Sequence, residues 1–186
     1  FDSLLLTLIM PKLPNILVTG TPGTGKTTFA DMIAEKTGMR RITVGEIVKR
    51  EHFSSGWDEE FQCMIVDENA EDQLLDYLEP LMGEGGIVLE HHTVDFFPER
   101  WFDLVLVLRC DNTLLYDRLM DRGYPINKVQ ENVECEIMQV ILDEARESYD
   151  TSIVQELRSD EYEDLERNVE RVSQWLEAWK KEHENE

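Results

Sequence analysis

The sequence is short of bases, of cysteines and of long apolar runs. Eighteen Lys and Arg stand against 40 Asp and Glu, a formal charge of −22. So acidic a chain opposes non-specific binding to nucleic-acid phosphates and to anionic membranes. Two readings of the charge stay open: a device for solubility, or a match for a basic macromolecular partner. The cysteines are three, Cys63, Cys110 and Cys135, widely spaced and without a CxxC pair or a Cys/His cluster. That argues against a disulfide framework and a zinc site, and for free thiols in a reducing compartment. The apolar run Leu4 to Met10 is too short to cross a bilayer and has neither a basic flank nor an Ala-x-Ala cleavage signal. Phe1 is not an initiator and Met10 stands just ahead of Pro11, so residues 1–9 are set apart as a non-native or disordered extension. No repeat and no linker divides the remainder. With 186 residues and 41% hydrophobic content, residues 10–186 are expected to form one domain.

What is present begins with Gly20-Thr21-Pro22-Gly23-Thr24-Gly25-Lys26-Thr27, which fits GxxxxGK[ST] at every fixed position. The β-prone segment Asn15 to Thr19 precedes it, and a helix-compatible run to Lys36 follows and stops at Gly38. The chemistry explains the residue types. Glycines at 20, 23 and 25 let successive N–H groups turn inward as an anion nest. The new helix aims its N-terminal N–H groups and positive dipole end at the same anion. Lys26 is expected to reach the β- and γ-phosphates of ATP and the Thr27 hydroxyl to ligate Mg2+, with Thr28 adding a phosphate contact.

Along the chain, strands are expected over Asn15–Thr19, Arg40–Val44, Ile87–Leu89, Phe102–Leu108 and Ile153–Leu157, alternating with helices. That alternation predicts a parallel sheet with helices on both faces. Gly45 to Val66 reads as a helical flap carrying a loop. A helix over Asn69–Met82 carries the stripe Leu74, Leu75, Leu78, Leu81 and Met82. Asp111 is a candidate N-cap for a helix from Asn112, which places Arg118 and Arg122 on one face. Such a pair suits polyphosphate or intrahelical ion pairs equally. Gly123 to Asn127 breaks that helix, and a long helix over Lys128–Ser148 is expected to bury Val133, Ile137, Val140 and Ile141. A final helix from Tyr162 turns Leu165, Val169, Val172, Leu176 and Trp179 inward.

Glu90 closes the apolar strand Ile87-Val88-Leu89. The carboxyl end of a buried strand is where an open α/β sheet binds its ligand, so Glu90 is a candidate for holding Mg2+ through water. His92 lies two residues on and could orient an attacking water or acceptor oxygen. Lys49, Arg50 and Arg100 are unranked candidates for an acceptor phosphate.

The phosphate loop, together with Thr28, Asp95-Phe96-Phe97-Pro98-Glu99-Arg100-Trp101 and Arg122-Gly123-Tyr124, closely resembles the adenylate kinase isoenzyme 6 family. Asp58-Glu59-Glu60 and Cys135-Glu136-Ile137 also look familial, and the likeness covers essentially Met10 to the last helix. The resemblance implies an α/β fold, that of the P-loop nucleoside monophosphate kinases, with a five-stranded parallel sheet, a monophosphate-binding flap at 43–66 and a short lid at 121–131. It implies ATP contacts from Gly23, Thr24, Gly25, Lys26, Thr27, Thr28 and Arg122, with Arg118 beside them, and catalytic roles for Lys26, Glu90, His92 and Arg122. Mg2+ falls to Thr27 and Glu90. The family's Asp-x-His stands here as Glu90-His91-His92, with Asp95 as reserve acid.

The implied activity is transfer of the ATP γ-phosphoryl group to AMP or another nucleoside monophosphate, with ATP hydrolysis as a second activity. The family also implies a role in small ribosomal subunit maturation, a basic small-subunit ribosomal protein as partner, and residence in nucleus and cytoplasm. A monomer without membrane binding and without direct non-specific nucleic-acid binding is expected. Rival readings are an ATP-hydrolysing assembly factor, a kinase of a small metabolite such as shikimate, and a GTPase switch. The last is disfavoured because Asn127-Lys128 continues as Val129-Gln130, not as the Asn-Lys-x-Asp that reads guanine.

Overall fold

The computed structural model describes residues 12–60 and 63–184, so the proposed extension 1–9 lies outside the described residues. Strands β1 (Ile16–Gly20), β2 (Arg40–Thr43), β5 (Ile87–Glu90), β6 (Leu104–Arg109) and β7 (Val154–Arg158) form one sheet in the order β2-β5-β1-β6-β7. Every pairing in it is parallel. The three inner strands are almost continuously apolar because helices cover both faces.

One face packs Phe29, Ile33, Leu165, Val169 and Leu176 from helices α1 (Lys26–Thr37) and α7 (Tyr162–Glu182) against Ile16, Val18 and Leu106. The other packs Leu74, Leu78 and Met82 of α3 (Glu68–Glu84) and Leu142 and Ala145 of a later helix against Leu17, Leu89 and Val105. Asn15, read as the start of a strand, instead ties the amino end of the sheet. Its Nδ2 donates to the carbonyls of Met82 (2.9 Å) and Trp101 (3.0 Å), and its Oδ1 accepts from Ile87 N (3.1 Å). A buried amide satisfied on both sides fixes register where apolar packing alone would slide.

At the opposite, carboxyl end, Thr43 and Val18 both pair with Glu90 across the strands. Val44, read as strand, opens helix α2 (Val44–Arg50) instead. The flap is α2 followed by a two-stranded antiparallel ribbon, β3 (Gly56–Asp58) and β4 (Cys63–Ile65). No alternation of apolar and polar residues there predicts a ribbon.

The largest departure lies beyond α4 (Asn112–Asp121) and the turn at Gly123, which has φ +74°. The single helix expected over 128–148 is two, α5 (Ile126–Ile137) and α6 (Val140–Ser148). Gln139 breaks it with φ 58°, a left-handed conformation that no α-helix continues through. In consequence Ile137, expected to be buried, is 54% exposed, while Glu136 is buried. Asp111 caps α4 as expected, accepting from Thr113 N and Leu114 N.

Candidate functional site

β1 ends in the phosphate loop because Gly20 and Gly23 hold conformations that a side chain would not permit. Gly20 has φ +144°, and a Cβ there would lie 2.7 Å from the Leu108 carbonyl; one at Gly23 (φ +93°) would lie 2.8 Å from Leu115 Cδ1. Lys26 is 8% exposed, and its Nζ donates to the carbonyls of Gly20 (2.8 Å) and Thr21 (3.1 Å). Burial pushes its pKa down to about 8, partly offset by the carboxylates of Glu90 and Glu136.

The carboxylate of Glu90 sits against the first turn of α1. It accepts from Thr27 Oγ1 at 2.9 Å through one oxygen and from Thr43 Oγ1 at 2.9 Å through the other, with Arg41 Nη1 3.8 Å away. Asp95, the reserve acid, is not among the residues lining the cleft, so the geometry sets Glu90 beside Thr27. A hydroxyl and a carboxylate, both hard oxygen donors, fit Mg2+ that takes its remaining ligands from phosphates and water. No group of three or more His, Cys, Asp or Glu among the described residues would hold a metal by itself.

Around this point opens a cleft of 720 Å³ between the phosphate loop, the flap and α5. Gly23, Gly25, Lys26, Thr27, Thr28, Glu90, His92 and Arg122 all line it. His91 is packed edge-on against Phe96 and Phe97, with ring centroids 5.7 and 5.8 Å away. His92 is the more exposed of the two. Desolvation in the cleft, then the charges of Lys26 and Lys128, hold the His92 imidazole below its usual pKa and keep it neutral.

Two residues named from sequence are placed elsewhere. Thr24 turns inward, its Oγ1 donating to the Thr21 carbonyl at 2.8 Å, and it shapes the loop from behind. Arg118 does not line the cleft. Its guanidinium donates to the carbonyls of Gly23 (3.4 Å), Ser159 (3.2 Å) and Asp160, bracing the loop against the residues just after β7. The acceptor-phosphate candidates also fall outside. Arg50 is spent on Glu51 and Tyr77, and Arg100 makes a two-pronged pair with Glu79 at 2.8 Å on each arm.

The cations that do line the cleft are Lys26, Arg122 and Lys128. Lys128, which sequence reasoning passed over, lies 4.1 Å from the Tyr124 ring centroid. Its signal was slight: one lysine in the first turn of a charged helix, six residues after Arg122. Ser159 was missed as well; its hydroxyl donates to the Thr24 carbonyl at 2.7 Å.

Comparisons with known proteins sharpen this picture. A family model described as an AAA domain matches residues 16–139. The adenylate kinase isoenzyme 6 homolog of Schizosaccharomyces pombe is 49% identical over 92% of this chain and 97% of its own length. The chain belongs to the adenylate kinase isoenzyme 6 family. The homolog of Dictyostelium discoideum, 52% identical over 89% of the chain and 93% of its own length, is a second such relative.

Among solved structures, shikimate kinase from Acinetobacter baumannii in complex with shikimate superimposes with a TM-score of 0.63 at 17% identity, covering 92% of this chain and 97% of that one. A gluconokinase from Sinorhizobium meliloti gives 0.54 at 14% identity, over 90% and 98%. At such identities the likeness speaks for the fold, which is that of the P-loop kinases. In this chain the phosphate loop and Glu90 lie at the carboxyl end of that sheet, and Arg122 faces them across the cleft.

Proposed function

We propose that the chain is a nucleoside monophosphate kinase that transfers the γ-phosphoryl group of ATP to AMP and hydrolyses ATP when water takes the acceptor's place. The observation that carries this reading is the convergence of Lys26, Thr27–Glu90 and the lid cations Arg122 and Lys128 on one cleft bounded by a flap. The names of the relatives, adenylate kinase isoenzyme 6 homologs, support AMP as the acceptor.

Little covalent chemistry falls to the protein in such a transfer, so its task is to position groups and stabilise charge. The loop N–H groups and Lys26 bind the triphosphate, which replaces the Gly20 and Thr21 carbonyls as the partner of Nζ. Thr27 and Glu90 would hold Mg2+, which when bound neutralises charge on the phosphates. Arg122 and Lys128 supply positive charge from the lid side, and closure of the flap and lid over the cleft would exclude water. His92 lines the cleft, and as a neutral imidazole it would orient the attacking oxygen.

A second reading, an ATP-hydrolysing assembly factor in which AMP phosphorylation is incidental, draws on the same neutral His92 and on the −22 charge. That charge suits a basic small-subunit ribosomal protein as partner, and with it a role in ribosome maturation in nucleus and cytoplasm. No helix among the described residues is long and apolar enough to cross a membrane. We take the enzyme to act as a monomer. Supplying Mg2+ and ATP with each monophosphate in turn, and following ADP and inorganic phosphate, separates the readings. ADP formed with AMP without phosphate release supports the kinase; phosphate release indifferent to acceptor supports the assembly factor; and full turnover by Lys26→Ala contradicts both.

A further inference from the structure

The Cys135-Glu136-Ile137 segment has no part in the reaction as described, yet Glu136 is among the most buried carboxylates of the chain, 3% exposed. Its Oε2 accepts from the Thr21 hydroxyl at 2.6 Å, inside the phosphate loop. Its Oε1 accepts from Arg109 Nε (2.7 Å) and from the Cys110 backbone N (3.1 Å), at the end of β6. Arg109 in turn donates through Nη2 to the Glu136 carbonyl at 3.0 Å and through Nη1 to Glu156 at 3.1 Å. The last turn of α5 is thus fastened to the end of β6 by the backbone and one carboxylate oxygen of Glu136, and to the loop by the other oxygen.

The placement of that fastening is what matters. α5 begins just after the Gly123 turn, and the residues it turns to the cleft, Lys128, Glu131, Asn132 and Cys135, follow helical spacing along one face. One end of the helix therefore carries the lid lysine and the other holds Thr21, whose carbonyl accepts from Lys26 Nζ and from Thr24 Oγ1. When phosphates draw Lys26 away from that carbonyl, Thr21 is held by Thr24 at its carbonyl and by Glu136 at its hydroxyl. Burying a carboxylate is costly unless its lone pairs are filled. Here one oxygen has a donor from the loop and the other has two from the end of β6, so loop and helix cannot shift separately without leaving part of a buried charge unpaired.

Resting on the reading of the loop as an ATP site, we infer that Glu136 is a positioning residue, which holds Thr21 for phosphate binding and transmits the occupancy of the loop to the lid helix α5. The pair to perturb is Thr21→Val, which removes the hydroxyl while keeping its shape and leaves the Glu136–Arg109 pair intact, and Glu136→Gln, which keeps the volume and removes the charge. The probe is a fluorescent ATP analogue with Mg2+, its binding measured by titration and its footprint by amide hydrogen exchange.

In the wild type the analogue is expected to slow exchange in both 20–28 and 126–137. In Thr21→Val the analogue binds about tenfold more weakly, and at saturation protects the loop but no longer α5. Glu136→Gln behaves alike, and the double variant is no weaker than the weaker single, because the two groups act as one unit. A Glu136 that merely stabilises the fold would lower the melting temperature and leave the analogue's affinity and the α5 protection as in the wild type; that result overturns the inference. If Glu136→Gln does not fold, Thr21→Val carries the test by itself. Failure of the wild type to bind the analogue overturns the ATP reading with it, whereas normal binding and normal α5 protection in the variants overturns this inference alone.

Discussion

On the phosphate-loop side of the cleft, Thr21, Thr24 and Lys26 are 1%, 0% and 8% exposed, and each donates a side-chain hydrogen bond within the protein. On the flap side, β3 and β4 are three residues each, and Trp57, Ile65 and Met64 stand 52%, 43% and 36% exposed. A triphosphate has the same charge and shape in every encounter, so its site can be built in advance and held by a central strand. On the proposed reading an acceptor must enter, be enclosed and leave, and short elements with little buried apolar contact suit that task. The contrast teaches where changes will act: on the loop side through binding and fixed geometry, on the flap and lid side through turnover.

The strongest challenge to that contrast is Lys26→Ala. Removing the one ammonium at the loop should lower turnover by about 10³-fold, with stability kept or raised because a desolvated charge has gone; steady-state kinetics and a thermal melt read both. Next comes Lys128→Ala on the lid side. It should lower kcat by about tenfold while leaving the affinity for an ATP analogue within about twofold, a split that places it with the transferring group. An equal loss of affinity would move Lys128 to the loop side of the comparison.

A third test uses the depressed pKa of Lys26, about 8 in the nucleotide-free protein. Above that pH the folded protein has lost the proton, and the bound phosphates favour its return. Nucleotide affinity should therefore fall as pH rises past 8, and calorimetry in buffers of different ionisation enthalpy should show uptake of about half a proton at pH 8 and far less at pH 7. The smallest effect is expected at Arg100→Ala. That guanidinium is 65% exposed and paired with Glu79 outside the cleft, so turnover should stay within about twofold and the melting midpoint should barely move.

How much of this was legible in the sequence depends on distance along the chain. The loop and its flanking strand and helix could be read because every residue of that unit is local, and Glu90 because strand ends have a fixed meaning in parallel sheets. The break at Gln139 could not, since nothing about Met138-Gln139 forbids a continuous helix. It arises where the α5 end is tied by Arg109 and Glu136, contacts made between residues 27 apart. The same holds for Arg118. Its i, i+4 spacing with Arg122 gave both a place near phosphates, but only the tertiary arrangement of Ser159 and Asp160 carbonyls turns one of them away. Glu136 belonged to a segment that looked familial, and only its partners in space gave it a task.

The most direct measurement of the central claim is a time course with Mg2+ and ATP, with and without AMP, following ADP and inorganic phosphate together. The account predicts that AMP accelerates ADP formation and that the added ADP appears without matching phosphate, as expected when the γ-phosphoryl group moves to the acceptor in the cleft. ADP formation that no monophosphate accelerates, with phosphate released in equal amount throughout, would contradict it.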